Sequence, residues 1–120
     1  MPERDLRVRT KALALGIIKM YTSLPKTEVA RVLGRQVLRS GTSVGSNYRE
    51  AYRARSDAEF LAKMGDCLRE LDETAYWLEL LVESHTMPAE KLSTLQDETN
   101  QITAIFTTIV KKKKGGIGKG

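Results

Sequence analysis

The chain has 120 residues, of which 41% are hydrophobic, 6% aromatic and only three proline, a balance that suits one helical domain rather than a β-sandwich or barrel. No apolar run approaches the ~18 residues of a membrane span, and the opening Met-Pro-Glu-Arg-Asp lacks the apolar centre of a signal peptide. The net charge is +5, and the lone cysteine, Cys67, has no partner for an internal disulfide, so a reducing cytoplasm is the expected home.

Four amphipathic segments follow one another. The first, about 3–22, repeats Leu6, Thr10, Leu13, Ile17, Met20 and Leu24 at alternating four- and three-residue steps, and Pro25 stops it. The second, about 27–55, takes Thr27 as its N-cap. Placed on a helix, it has three distinct faces. Leu33, Val37, Val44, Tyr48 and Ala51 form a core stripe, with Arg35, Arg39, Thr42, Ser46, Arg49 and Arg53 opposite and Gly34, Gly41 and Gly45 along one flank. A glycine inside a helix costs roughly 1 kcal/mol against alanine, so this flank calls for another helix lying unusually close. With Ser43, Ser46 and Asn47 it offers the small, polar surface that a subunit interface would use.

The third segment, about 57–84, opens with the capping-box sequence Ser56-Asp-Ala-Glu59. It carries Phe60, Met64, Leu68, Leu71, Ala75, Leu78 and Leu81, and Leu61, Trp77 and Leu80 widen the apolar face. Tyr76 and Trp77 read as core or interface anchors. The fourth, about 88–112, starts at Pro88 and repeats Leu92, Leu95, Thr99, Ile102, Phe106 and Ile109. The predicted architecture is an all-α, antiparallel up-down-up-down four-helix bundle over 1–110. The basic tail 111–120, Lys-Lys-Lys-Lys-Gly-Gly-Ile-Gly-Lys-Gly, is expected to fray once past the lysines.

Charge is segregated among these segments: residues 1–24 carry a net +3, 26–55 +5, 56–84 −6, 87–110 −2 and the tail +5. A basic helix two beside an acidic helix three suggests ion pairs, with Arg39 reaching Glu70 or Glu73. Buried pairs of that kind would set register and partner choice more than stability. Read functionally, the same stripe is a row of guanidinium groups tracking phosphates. A plain solvated face is the third reading. Lys111–Lys114 exceed what a helix C-terminus needs to complement its dipole. They suit a nucleic-acid backbone, whereas a membrane would need a lipidation signal or an amphipathic anchor that is not seen.

Catalytic constellations are not evident. His85 stands alone at a helix end, and position 82 is Val, so the Glu-x-x-His of a di-iron bundle is missing. Cys67 has no histidine at helical spacing, and Asp66 and Glu70 would raise its pKa, which fits a buried structural thiol. The terminal Gly-Gly-Ile-Gly-Lys-Gly lacks the Ser/Thr, strand and helix of a phosphate loop. No enzyme activity, metal or cofactor is expected.

The run Arg39-Ser-Gly-Thr-Ser-Val-Gly-Ser-Asn47-Tyr-Arg-Glu50-Ala, followed by Leu68-Arg-Glu-Leu-Asp-Glu-Thr-Ala-Tyr-Trp-Leu-Glu-Leu-Leu81, resembles the bacterial four-helix bundle family of 23S rRNA-intervening sequence proteins over roughly residues 6–110. The resemblance implies the bundle fold and a homopentameric ring. A related branch accompanies the reverse transcriptases of diversity-generating retroelements, so RNA, DNA, a reverse transcriptase or another nucleoprotein are implied partners. The family carries no agreed biochemical activity.

Two functional expectations stand side by side. One is a non-enzymatic nucleic-acid-binding protein using Lys111, Lys112, Lys113, Lys114, Arg35, Arg49 and Arg53. The other is a protein-interaction scaffold whose basic stripe is used in helix or subunit contacts. Structural or interface roles are expected for Arg39, Gly41, Gly45, Asn47, Glu50, Glu70, Glu73 and Trp77.

Overall fold

The computed structural model describes residues 2–119, with side chains from Leu6 to Gly116. Four helices run in chain order: α1 (Pro2–Thr22), α2 (Glu28–Tyr52), α3 (Asp57–Glu83) and α4 (Ala89–Lys119). Among the described residues there is no strand. Each helix packs on two others in the cycle α1–α2–α3–α4–α1, which is the square of an up-down-up-down bundle. The molecule measures 53 × 23 × 21 Å.

Local chemistry sets the helix ends. Thr27 is extended and its side chain accepts from the Ala30 N–H at 3.1 Å, which starts α2 after Pro25. Ser56 accepts from the Glu59 N–H at 3.0 Å, and the Glu59 carboxylate accepts from the Arg55 N–H at 2.9 Å. The box therefore closes one residue earlier than its usual reciprocal form, in which the glutamate would reach the Ser56 N–H. Because Ser56 must be extended (φ −149°, ψ 159°) to cap α3, α2 cannot continue to Arg55 as expected. It ends at Tyr52, with Arg53 as C-cap and the Ala54 N–H tightening the turn onto the Ala51 carbonyl at 3.1 Å. His85, just beyond α3, takes φ 61°, the left-handed position that commonly ends a helix. Met87 and Thr86 donate back to the Leu81 carbonyl at 3.0 and 3.1 Å.

The fourth helix departs from expectation in the other direction. It runs past 112, through all four lysines, to Lys119, where fraying was expected. Lysine is a good helix former, so propagation through Lys111–Lys114 needs little tertiary help. Lys113 has some, since its Nζ lies 3.0 Å from the Asp57 carboxylate of α3. Gly115 and Gly116 face open space. The side chains of the tail's last residues, 117–120, lie outside the described residues.

The core is one cluster drawn from all four helices, including Leu13, Ile17, Val37, Val44, Met64, Leu71, Leu78, Leu92, Ile102 and Phe106. A buried polar contact pins α2 to α3, where the Ser40 and Thr74 hydroxyls lie 2.9 Å apart and Thr74 is also 2.8 Å from the Glu70 carbonyl. Cys67 is fully buried, with its thiol 3.7 Å from the Val44 carbonyl.

The glycine flank is occupied by the chain itself. A Cβ on Gly41 would sit 2.8 Å from Ile17 Cγ1, one on Gly45 3.2 Å from Thr10 Oγ1, and one on Gly34 2.6 Å from Leu24 Cδ1. The helix that lies unusually close is α1. Of the structural or interface roles expected for Gly41 and Gly45, the contacts with Ile17 and Thr10 give both a structural one within the chain.

Candidate nucleic-acid interface

The up-down topology brings the start of α1, the end of α2, the start of α3 and the end of α4 to one end of the bundle. Basic side chains from three of these segments meet there. Arg7 and Lys11 stand one turn apart on α1, and Arg49 and Arg53 stand one turn apart on α2. The four line a depression of about 350 Å³ together with Val8 and Tyr52. A second depression of about 300 Å³ continues along the same helix pair, again lined by Arg7, Lys11 and Arg49 and now by Thr42 and Ser46. Among the described side chains, no carboxylate lines either one. Lys11, Arg49 and Arg53 make no ion pair with a described residue, and Arg7 lies over the Tyr52 ring at 4.2 Å from its centroid. Tyr52 is half-exposed and its inner neighbour Tyr48 packs on Phe106 at 5.2 Å between centroids.

The remaining candidate residues separate into groups. Arg35 is exposed on the same side of α2, but fourteen residues from Arg49, about 21 Å along the axis, so it is not part of this cluster. Between them Arg39 is tied to α3, pairing with Glu70 at 3.3 Å and hydrogen-bonding Glu73. Glu50, in turn, holds Lys63 of α3 at 2.6 Å. Helix three thus takes one arginine of the stripe and leaves Arg35, Arg49 and Arg53 to solvent. Its acidity does not consume the stripe. Lys111, Lys112 and Lys114 are exposed at the end of α4, and Lys112 and Lys113 border a larger cleft near the α2–α3 turn. Asn47 is half-buried on α2. Trp77 is half-buried against the core, and its indole N–H is enclosed without a hydrogen-bond partner among the described residues.

Arg7, Lys11 and Tyr52 are site residues that sequence reasoning missed. The signal was available, since an antiparallel hairpin of α1 and α2 sets the first turns of α1 against the last turns of α2. Counting charge helix by helix hid it, because the cluster is shared between two helices.

The fold and this surface define a class: an all-α four-helix bundle with a cationic groove at one end. The sequence profile of the 23S rRNA-intervening sequence protein family matches residues 4–108, and the chain belongs to that family. Its structure is similar to the crystal structure of a protein of unknown function from the S23 ribosomal protein family of Bacteroides thetaiotaomicron. The TM-score is 0.86 at 33% sequence identity, covering 92% of this chain and 99% of that one. No curated protein matches the chain. Among the described residues, no helix is long and apolar enough to cross a membrane, and no cluster of histidine, cysteine and carboxylate side chains is arranged to hold a metal ion.

Proposed function

We propose that this protein is a non-enzymatic nucleic-acid-binding protein that holds RNA or DNA by its phosphate backbone. The observation that carries the reading is the groove of Arg7, Lys11, Arg49 and Arg53, four cations with no lining carboxylate among the described side chains. Counterion release on phosphate contact favours such a surface, and guanidinium groups suit phosphate geometry. Lys111, Lys112 and Lys114 extend the positive field at the same end of the bundle. Arg35 adds to the charge of α2 from a distance. Fluorescence anisotropy with short RNA and DNA, single- and double-stranded, at ~50 mM salt tests the reading. Saturable binding to at least one of them is expected, and no binding to any would overturn it.

A second reading, self-assembly as an interaction scaffold, is favoured by a separate observation. Val8, Leu15 and Ile18 of α1 are 64%, 57% and 42% exposed, at seven- and three-residue spacing on the side of α1 away from the core. That is the spacing of a helix–helix seam. Val29 and Val32 add exposed apolar surface on α2. A homopentamer, the assembly implied by the family resemblance, would sediment at about five times the 13.4 kDa chain mass. Leu15→Glu with Ile18→Glu should then yield monomers, and a wild-type monomer at micromolar concentration would remove this reading.

A further inference from the structure

We propose that the cleft beside the basic groove receives an unstacked nucleobase, so that the preferred ligand is a single strand rather than a duplex. The inference rests on the nucleic-acid reading above and names its ligand class. The cleft, of about 630 Å³, opens where α2 hands over to α3. Its walls are the rings of Tyr48, Tyr52 and Phe60 with aliphatic Leu6 and Ile109, and its border is cationic through Arg55, Lys112 and Lys113. The one carboxylate among its described lining residues, Asp57, is held by Lys113 at 3.0 Å, and the same ammonium lies 5.6 Å from the centre of the Phe60 ring. An apolar, aromatic interior with a positive border complements a flat base attached to a phosphate.

Continuity with the groove decides between strand types. Tyr52 lines both the cleft and the first depression, and Arg7, Lys11 and Arg49 line both depressions. From Tyr52 back to Thr42 the track follows α2 for ten residues, about 15 Å. That length matches about four nucleotides at the ~3.4 Å rise of a stacked strand. A strand laid along it would place phosphates on the four cations and turn its terminal base past Tyr52 into the cleft. The Arg7 guanidinium already covers part of the Tyr52 ring, and arginine–aromatic platforms of this kind hold unpaired bases. A duplex meets the cations equally well, but its bases are paired and stacked, so the cleft stays unused unless a base is extruded at an energetic cost.

The test compares a 12-nucleotide single-stranded RNA with its duplex at one salt concentration, using wild type, Tyr52→Ala, Phe60→Leu and Arg49→Ala/Arg53→Ala. Tyr52 is half-exposed and Phe60→Leu keeps the cleft apolar, so both variants should fold, which circular dichroism verifies. Wild type should bind the single strand more tightly. Phe60→Leu should weaken single-strand binding by about tenfold while leaving duplex affinity within about twofold, and Tyr52→Ala, which also removes the ring beneath Arg7, should weaken the single strand by more than it weakens the duplex. The arginine pair should weaken both. A 2-aminopurine base at the strand terminus should change emission with wild type and much less with Tyr52→Ala. Equal wild-type affinity for strand and duplex, or equal losses for both in the aromatic variants, would overturn the inference while leaving backbone binding intact. Failure of wild type to bind either ligand would overturn both readings together.

Discussion

Replacing Gly41 by alanine isolates the energetic meaning of the glycine flank. In an isolated helix the change should stabilise by about 1 kcal/mol, because alanine gives up less backbone freedom. Here the new Cβ would lie 2.8 Å from Ile17 Cγ1, with Ile17 Cγ2 and Cβ at 3.3 and 3.4 Å. Carbon contacts are comfortable only at about 3.5–4.0 Å. Ile17 is fully buried and β-branched, so its rotamer in a helix is essentially fixed and it cannot swing aside. The α1–α2 pair must part instead, at an overpacking cost of about 1–3 kcal/mol. Gly65 is the control, since a Cβ there meets nothing within 4 Å. Gly65→Ala should therefore stabilise by roughly 0.5–1 kcal/mol, and Gly41→Ala should fall below it by about 1–3 kcal/mol. Urea denaturation followed by far-ultraviolet circular dichroism, at one protein concentration and with matched slopes, measures the difference. In a double-mutant cycle with Ile17→Ala, the two changes should be less than additive by at least about 1 kcal/mol, because the added methyl enters the vacated space. If Gly41→Ala stabilises as much as Gly65→Ala, the close approach is not what the glycine serves.

Three further outcomes are expected. His85→Gly should stabilise by about 1 kcal/mol in the same urea assay, because glycine takes the left-handed position at φ 61° without a Cβ clash; a loss of stability would mean that the imidazole has a role at the helix end. The Cys67 thiol is pushed up from 9.0 to about 12, mainly by burial and then by Asp66. Between those values the unfolded chain releases a proton that the folded chain keeps, so stability falls as pH rises above about 9. Cys67→Ala should remove one proton's worth of that slope, and native Cys67 should resist thiol reagents at pH 8 until the chain unfolds. Arg39→Ala should cost less than about 1 kcal/mol, because its carboxylate contacts are solvent-exposed, and should leave the salt dependence of nucleic-acid binding unchanged; a shallower salt slope would place Arg39 among the phosphate contacts.

The architecture was legible because periodicity reports burial directly. The three- and four-residue steps of Leu6, Leu13 and Ile17, or of Leu92, Ile102 and Phe106, reappear as buried side chains. Thr27 and Ser56 cap where their chemistry requires. The pairing of Arg39 with Glu70 and Glu73 was also within reach, since opposite charge on adjacent helices limits the choices. Which helix covered the glycines was not legible: a bare flank says that something lies close, and only the topology says that it is α1. The groove was obscured for a related reason. Arg7 and Lys11 lie far from Arg49 and Arg53 in sequence, and no local pattern records that they face each other across a hairpin. The helical course of the lysine tail eluded composition as well, because the four glycines among its last six residues argue against a helix that the preceding lysines carry forward.

The salt dependence of binding tests the central claim most directly. The slope of log affinity against log salt concentration for a single-stranded RNA is measured for wild type and for Arg7→Ala/Lys11→Ala/Arg49→Ala/Arg53→Ala. Each phosphate neutralised on a single strand contributes about 0.7 to that slope. Loss of four contacts should therefore make the dependence shallower by roughly 2 to 3 and weaken binding at low salt. An unchanged slope in a folded variant would contradict the account, because the phosphates would then be held elsewhere.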